Sequence, residues 1–188
     1  MKKYILIAGV NGAGKSTLYQ SLQSLQGMPR VNTDEILRDF GDWRNMADVM
    51  TAGKIAVKKI ARYFDEGITF NQETTLCGKS IINNITKAKN RGFFIELHYI
   101  GVESADIAKE RVAGRMKQGG HGIAEQDIER RYIETFDNLK TVLPECDLAA
   151  SYDNTIEFRR FAIYKSGSPV RISHHIPDWY ERFVADMT

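Results

Sequence analysis

Short apolar stretches alternate along this chain with longer segments in which apolar residues recur every three or four positions. The short stretches predict β-strands at 3–8, 30–32, 68–72, 93–100 and 147–152. The longer segments predict α-helices at 16–25, 48–66, 80–90, 104–118 and 124–143. Strands that alternate with helices of this length form a parallel sheet that helices cover on both faces. The pattern therefore predicts a three-layer α/β fold.

The chain after position 155 has a weaker pattern. Residues 159–165 and 169–173 predict a small hairpin, and 177–187 predict a final helix that buries Trp179 and Phe183. We find no repeat or linker, and 188 residues are enough to form one core. We therefore expect a single domain over 1–188, in which the pattern assigns no role to a tail at about 156–188.

Charge and composition narrow the candidate partners. The formal net charge is +2, which gives no overall electrostatic preference for nucleic acid. Cys77 and Cys146 lie far apart without the spacing of a metal site, which indicates free thiols in a reducing compartment. No apolar run is long enough to span a membrane, and the N-terminus has no cleavable signal. We expect a cytoplasmic protein without a membrane partner, and we do not expect a nucleic-acid partner.

Residues 9–17, Gly-Val-Asn-Gly-Ala-Gly-Lys-Ser-Thr, match the phosphate-binding pattern G-x-x-x-x-G-K-[ST] between a predicted strand and a predicted helix. In this motif the backbone amides surround phosphate oxygens at a helix N-terminus, the lysine reaches the β- and γ-phosphates, and the hydroxyl binds Mg²⁺. The motif predicts ATP and Mg²⁺ as cofactors, with ATP favoured over GTP because no Asn-Lys-x-Asp guanine-binding motif is present. The predicted nucleotide-binding residues are Asn11, Gly12, Ala13, Gly14, Lys15, Ser16 (also the metal ligand) and Thr17.

Two carboxylates follow predicted strands at the edge of the sheet where ligands bind in folds of this class. Asp34 comes after the second strand, where it can accept a proton from an attacking hydroxyl or stabilise the first turn of a helix. Glu73 comes just after the third strand, in a polar cluster that includes Thr75. This cluster can bind the acceptor substrate, or it can form a turn before the next helix.

The segment 111–131 has the composition of a lid. Arg111 and Arg115 share a helical face, three glycines follow between 119 and 122, and Arg130 and Arg131 come next. Arginines on a closing lid stabilise charge on a transferred phosphoryl group. The alternative is surface pairing with Glu110, Glu125 or Glu129. The chain's four histidines, including His121 in this segment, predict no metal site.

The strand at 93–100 ends without the aspartate that holds Mg²⁺ in many hydrolytic ATPases. This absence favours a small kinase over a motor or a switch. It leaves Ser16, water and Asp34 as the expected Mg²⁺ ligands.

Over about residues 3–155, the chain resembles the compact zeta-toxin-like P-loop kinases. The shared motifs are the loop at 9–17, Val-Asn-Thr-Asp-Glu-Ile at 31–36, Glu-Thr-Thr-Leu-Cys-Gly at 73–78, Glu-Arg-Val-Ala-Gly-Arg at 110–115, Gly-Gly-His at 119–121 and Tyr-Asp-Asn at 152–154.

This resemblance implies a P-loop nucleotide kinase-like fold with a lid, and phosphoryl transfer from ATP·Mg to a hydroxyl of a small molecule. It places the catalytic aspartate on Asp34 and the substrate-site glutamate on Glu73. It places the lid arginines on Arg115 and on Arg130 or Arg131, of which Arg131 is favoured. A sugar nucleotide is the candidate acceptor, and an antitoxin protein is a candidate partner. Two other functions stay open, an ATP-binding interaction module with weak hydrolysis and a nucleic-acid end kinase.

Overall fold

The computed structural model describes residues 1–185, which form one seven-stranded sheet with helices around it. The strands are β1 (Lys3–Ala8), β2 (Arg30–Val31), β3 (Phe70–Thr74), β4 (Phe94–Gly101), β5 (Leu148–Asp153), β6 (Arg159–Lys165) and β7 (Ser168–Ile172). The α-helices are α1 (Lys15–Ser21), α2 (Thr33–Arg38), α3 (Met46–Glu66), α4 (Lys79–Asn90), α5 (Ala105–Lys117), α6 (Glu125–Val142) and α7 (Asp178–Phe183). Short 3₁₀ turns cover Gln23–Leu25 and Leu143–Glu145.

The strand order is β2-β3-β1-β4-β5-β6-β7, in which the first five strands are parallel. The central strand β1 is a continuous apolar run, and its residues from Tyr4 to Ala8 are at most 3% exposed. Ala8 lies opposite Thr74 on β3 and Tyr99 on β4. The carboxyl ends of these strands therefore meet at one edge. The predicted α/β fold with a central parallel sheet is confirmed.

The long helices form where the pattern predicts them. Helix α3 begins after Asn45, whose side chain accepts a hydrogen bond from the amide of Ala47, and it ends at Gly67 with a φ of 66°. Its buried face includes Ile60 and Phe64, and the ring of Phe64 packs edge-on against Tyr4 of β1 at 5.1 Å between centroids. Burial of this apolar face holds the helix on the sheet.

Three boundaries differ from the sequence prediction. The first helix ends at Ser21 rather than at 25, because Leu22 leaves the helical conformation with φ −95° and ψ 93°. The second strand ends one residue earlier, and Asn32 caps α2 instead. The third strand covers Phe70–Thr74 rather than 68–72, because its ladder with β1 continues to Thr74. Glu73 therefore lies inside β3, and the prediction that it follows the strand is wrong.

The tail extends the sheet and completes the core. Strands β6 and β7 pair antiparallel beyond β5, close to the predicted hairpin. Trp179 of α7 is fully buried and stacks on Phe136 of α6 at 5.5 Å between ring centroids. Phe183 stacks on the same ring at 4.6 Å. The last positions of the predicted helix, 186 and 187, lie outside the described residues.

The Trp179 indole fills the space beside Gly101, at the end of β4, that any side chain there would need. Within residues 1–185, no helix combines the length and the apolar character needed to cross a membrane.

Candidate active site

The phosphate-binding loop joins β1 to α1 and curves around its own lysine. Gly14 has a φ of 104°, in the left-handed region that favours glycine, and α1 begins directly after it. Lys15 is only 8% exposed, and its Nζ donates to the carbonyl oxygens of Gly9 at 2.8 Å and Val10 at 3.1 Å. Burial is the main cause that lowers the pKa of Lys15, and it outweighs the opposing effects of the Glu73 and Asp34 carboxylates.

The carboxylate of Glu73 is the centre of a hydrogen-bonded network beside this loop. Its Oε2 accepts from Arg30 Nη2 at 2.6 Å and from Asn32 Nδ2 at 3.1 Å. The hydroxyl of Ser16 lies 3.4 Å from both carboxylate oxygens. The guanidinium of Arg30 also stacks on the ring of Tyr19 in α1 at 3.5 Å. The network therefore fixes β2 and β3 against the helix that follows the loop.

Asp34 lies in the first turn of α2. The side-chain oxygen of Asn32 caps this helix by accepting from the amide of Asp34 at 2.9 Å and of Glu35 at 3.4 Å. One carboxylate oxygen of Asp34 is 3.5 Å from His121 Nε2. Burial lowers the pKa of His121, which favours the neutral imidazole near pH 7. The position of Asp34 is therefore compatible with both interpretations. Asp34 lies in the first turn of a helix, where a carboxylate stabilises the helix, and it also lines the cleft, where a carboxylate can accept a proton.

A cleft of about 680 Å³ brings four of the candidate residues together with His121. Ser16, Asp34, Glu73, Arg115 and His121 line it. The indole of Trp43, between α2 and α3, forms part of its wall. The other candidates do not line it: residues 11–15 and 17 belong to the loop and the start of α1, Thr75 follows β3, and Arg131 contacts the loop through Asn11.

The arginines of the 111–131 segment have different surroundings. Arg131 Nη1 donates to Asn11 Oδ1 of the loop at 3.0 Å. Arg130 is on the outer face of α6, where it pairs with Asp127 at 3.0 Å and Glu134 at 2.8 Å. Of the two, Arg131 is the one that contacts the loop.

Arg115 and Arg111 each hold a buried nitrogen beside the loop. Arg115 Nε donates to the carbonyl of His121 at 3.0 Å, and Arg111 Nη2 donates to the carbonyl of Thr155 at 3.0 Å. One further guanidinium nitrogen on each is buried without a hydrogen-bond partner among residues 1–185. Within that range, neither arginine forms the alternative ion pairs with acidic residues of α5 and α6. A buried hydrogen-bond donor without a partner destabilises the folded protein, so an anionic ligand that accepts a hydrogen bond from Arg111 or Arg115 would remove this cost.

The turn after β5 packs against the loop. Asn154 Nδ2 donates to the carbonyl of Ala13 at 2.8 Å. Asp153 Oδ1 accepts from Trp179 Nε1 at 3.0 Å and from Thr155 Oγ1 at 2.7 Å. Through α7, the tail therefore helps to hold the turn that contacts the loop.

The oxygen donors beside the loop fit Mg²⁺. The Ser16 hydroxyl and the Glu73 carboxylate are hard ligands close to each other, and Mg²⁺ keeps most of its water and needs few protein ligands. No group of three or more His, Cys, Asp and Glu side chains in the described part of the chain could hold a metal by itself. The expectation that Asp34 supplies a carboxylate ligand stays a prediction, and the contact of 3.4 Å with Ser16 makes Glu73 a second candidate. The carboxylate nearest Ser16 comes from β3, the neighbour of β1.

Three residues of this site, Arg30, Asn32 and Trp43, have no site role predicted from the sequence, although Asn32 lies within the shared motif at 31–36. Asn32 had an available signal, because asparagine directly before an apolar helical segment is a favoured N-cap. No sequence pattern predicts the position of Arg30, because this position depends on pairing between the two-residue strand β2 and β3.

No known family model matches this chain. It is 35% identical over 130 residues to an uncharacterized protein of Haemophilus influenzae, and the match covers 69% of this chain and 92% of that protein.

Solved structures share the fold. Crystal structures of the AvrRxo1-ORF1:AvrRxo1-ORF2 complex match with TM-scores of 0.75 with sulphate ions and 0.72 with ATP, both at 13% identity. Each match covers all of this chain and 65% of the other, so this chain spans less than two thirds of that length. A structure of the PezAT toxin–antitoxin system of Streptococcus pneumoniae matches with a TM-score of 0.60 at 17% identity, over 82% of this chain and 69% of the other. At these identities the likeness shows a P-loop kinase-like fold.

Proposed function

We propose that this chain, which belongs to the same protein family as the Haemophilus influenzae protein, is a phosphotransferase that moves the γ-phosphoryl group of ATP to a hydroxyl of a small molecule. The observation that carries this proposal is that one cleft contains the Ser16 end of the phosphate-binding loop and the carboxylate of Asp34. A phosphate donor and a proton acceptor can therefore act on the same substrate hydroxyl.

The loop binds the triphosphate. Residues 11–17 lie at the N-terminus of α1, where free amides and the helix dipole attract phosphate, and Lys15 adds a buried positive charge. Arg131 exchanges its contact with Asn11 for a phosphate oxygen. Ser16 would hold Mg²⁺, which would supply positive charge to offset the charge of the phosphates. The neighbour that was crystallised with ATP supports this choice of nucleotide.

Asp34 acts as the general base. Its carboxylate accepts the proton of the acceptor hydroxyl while the hydroxyl oxygen forms a bond to the γ-phosphorus and the bond to ADP breaks. Arg115 donates from its unpaired nitrogen to the transferred group, on which negative charge is spread in the transition state. His121 stays neutral beside Asp34 and leaves the carboxylate free to take the proton.

Glu73, together with Thr75, is assigned to the acceptor. Its 3.4 Å distance from the Ser16 hydroxyl also puts it beside the proposed metal ligand. Glu73→Gln separates the two roles. If it raises the acceptor KM at saturating Mg²⁺, it supports the substrate role. If it raises only the Mg²⁺ concentration needed for half-maximal rate, Glu73 serves the metal.

A sugar nucleotide is the first acceptor to test, and an antitoxin protein is the candidate partner, supported by the fold shared with the PezAT system. The alternative functions, an ATP-binding interaction module and a nucleic-acid end kinase, are outcomes of the same experiment.

The test is release of ADP from ATP·Mg across sugar nucleotides, nucleosides, amino sugars and short oligonucleotides. Asp34→Asn is assayed in parallel, and Asp39→Asn is the matched control because Asp39 is exposed at the end of the same helix. We expect one acceptor class to stimulate ADP release, with loss in Asp34→Asn, normal ATP binding in that variant and an unchanged rate in the control. Full turnover in Asp34→Asn would contradict the assignment. ATP binding without stimulation by any acceptor would favour the interaction module, and stimulation only by oligonucleotides would favour the end kinase.

A further inference from the structure

A second cavity, of about 650 Å³, lies between α1 and the β6–β7 hairpin. It shares no lining residue with the candidate active-site cleft. Leu18 and Ser21 of α1 and the following Leu22 form one wall, and the hairpin forms the other. Ser21, the last residue of α1, is six residues beyond Lys15, which is a rise of about 9 Å along the helix. The cavity therefore extends along α1 toward its C-terminal end.

The lining of this cavity contains basic side chains and no acidic ones. Arg160, Arg171 and His174 line it, and none of the lining residues is an aspartate or a glutamate. Within residues 1–185, Arg160 and Arg171 form no ion pair, whereas their neighbour Arg159 lies 3.7 Å from the carboxylate of Asp153. Two guanidinium groups without a carboxylate partner, at one cavity, form a positive site for an anion.

The cavity also offers an aromatic surface beside these arginines. The rings of Tyr152 and Phe158 pack at 5.5 Å between centroids with an angle of 36°. Phe158 is 37% exposed, and Leu18 and Ile172 also line the cavity. A planar ring of a ligand can cover the exposed part of this surface.

We propose that this cavity, which we name the hairpin site, binds a nucleoside monophosphate, with the base on Tyr152 and Phe158 and the phosphate on Arg160 and Arg171. The volume is in the range of small-molecule sites, about 300–1,000 Å³. Arginine suits a phosphate because its planar donors can bind two oxygens at once. This proposal stands apart from the phosphotransferase assignment, because it uses no residue of the active-site cleft.

The hairpin site is adjacent to the phosphate-binding loop. A Cβ built on Gly14 would lie 3.8 Å from the ring of Phe158, and Asn154, four residues before that ring, holds the carbonyl of Ala13. A ligand that orders Phe158 therefore changes the freedom of the loop, and by linkage ATP affinity changes by the same factor as the affinity of that ligand.

The test is calorimetric titration of AMP into the wild-type protein saturated with Mg²⁺ and a non-hydrolysable ATP analogue. We expect AMP to bind while the analogue stays bound, and the double variant Arg160→Ala/Arg171→Ala to lose at least tenfold in AMP affinity. Arg62→Ala is the control, because Arg62 is exposed on α3, away from the cavity. Arg171→Ala alone, on the fully exposed strand β7, keeps the test valid if the double variant folds poorly.

Competitive displacement of AMP by the analogue would overturn the proposal, because AMP would then occupy the ATP site. So would the absence of AMP binding at millimolar concentration, or equal AMP affinity in the double variant and the wild type. Ribose 5-phosphate and inorganic phosphate are titrated in the same way. Weaker binding of both supports the aromatic surface as the base platform, and affinity equal to that of AMP overturns that part of the proposal.

Discussion

Asn154 and Ala13 are 141 positions apart in the chain, and they are joined by a hydrogen bond of 2.8 Å from the side-chain amide of one to the backbone carbonyl of the other. This contact fixes the phosphate-binding loop to the turn after β5. Ala13 is fully buried, so its carbonyl has little access to water as a substitute partner. The loop therefore owes part of its shape to a residue outside the motif.

Asn154→Ala is expected to weaken ATP binding by about twofold to tenfold, because a hydrogen bond of this kind contributes about 0.5–1.5 kcal/mol. Calorimetric titration of ATP·Mg measures the effect. Asn90→Ala is the control, because Asn90 is exposed at the end of α4. An unchanged affinity would mean that the loop keeps its shape without Asn154.

Arg131 and Arg130 form a matched pair for testing the lid. Arg131→Ala is expected to reduce kcat by about 10³-fold, the lower range for an arginine that stabilises a transferred phosphoryl group. Arg130→Ala removes only exposed ion pairs with Asp127 and Glu134 and is expected to change kcat less than about twofold. Steady-state kinetics with the identified acceptor measure kcat in both variants. Similar losses in both variants would argue against a special role for Arg131.

We expect ATP binding to be coupled to proton uptake by Lys15. Burial lowers its pKa in the folded protein, and bound phosphates must raise it again, so proton uptake on binding grows as the pH rises toward the lowered pKa. We expect the binding enthalpy at about pH 9 to vary with the ionisation enthalpy of the buffer, with little variation at about pH 6. Lys15→Arg is the control, because arginine stays protonated. The same buffer dependence in Lys15→Arg would assign the proton to another group.

The stability of the fold should depend on His121 at acidic pH. Its folded-state pKa lies below the ordinary value of 6.5, so the unfolded chain binds this proton more readily. The contribution of neutral His121 is complete above about pH 6.5 and is lost as the pH falls below that value. Urea unfolding between about pH 7 and pH 5 should show a shallower loss in His121→Gln than in wild type. His174→Gln, at an exposed residue, should behave like wild type.

Trp179 should be essential for stability although it lies far from the cleft in sequence. Trp179→Ala leaves a large cavity in the core and is expected to lower the free energy of unfolding by about 3–5 kcal/mol. Trp179→Phe keeps most of the packing but loses the hydrogen bond to Asp153, so it should cost less. Denaturant unfolding gives both values. A loss below about 1 kcal/mol in Trp179→Ala would show that the tail is not part of the cooperative core.

The sequence pattern predicted the parallel sheet, the loop and the long helices, because these depend on local periodicity and on one specific motif. Helix α3 and the hairpin lie within a few residues of their predicted bounds. The charge network around Glu73 could not be predicted. Its partner Arg30 is placed by a two-residue strand whose conformation depends on pairing with Asn71 and Gln72 of β3.

The sequence pattern also could not decide whether Arg130 or Arg131 faces the loop. Adjacent residues on a helix point about 100° apart, so one faces the loop and the other faces solvent. Which one faces inward depends on how α6 packs against the sheet through Phe136 and Leu139. No local sequence pattern could predict the hairpin site either, because α1 and β7, which both line it, come from opposite ends of the chain.

The close fit between Trp179 and Gly101 affects how the protein folds during its synthesis on the ribosome. Strand β4 is central to the sheet, yet its end stays uncovered until α7 has been synthesised about 80 residues later. At about 5–20 residues per second, this delay lasts several seconds, while the emerging chain exposes an aromatic surface. A nascent chain stalled before Trp179 should therefore recruit chaperones and fail to bind nucleotide, although its complete phosphate-binding motif left the exit tunnel first.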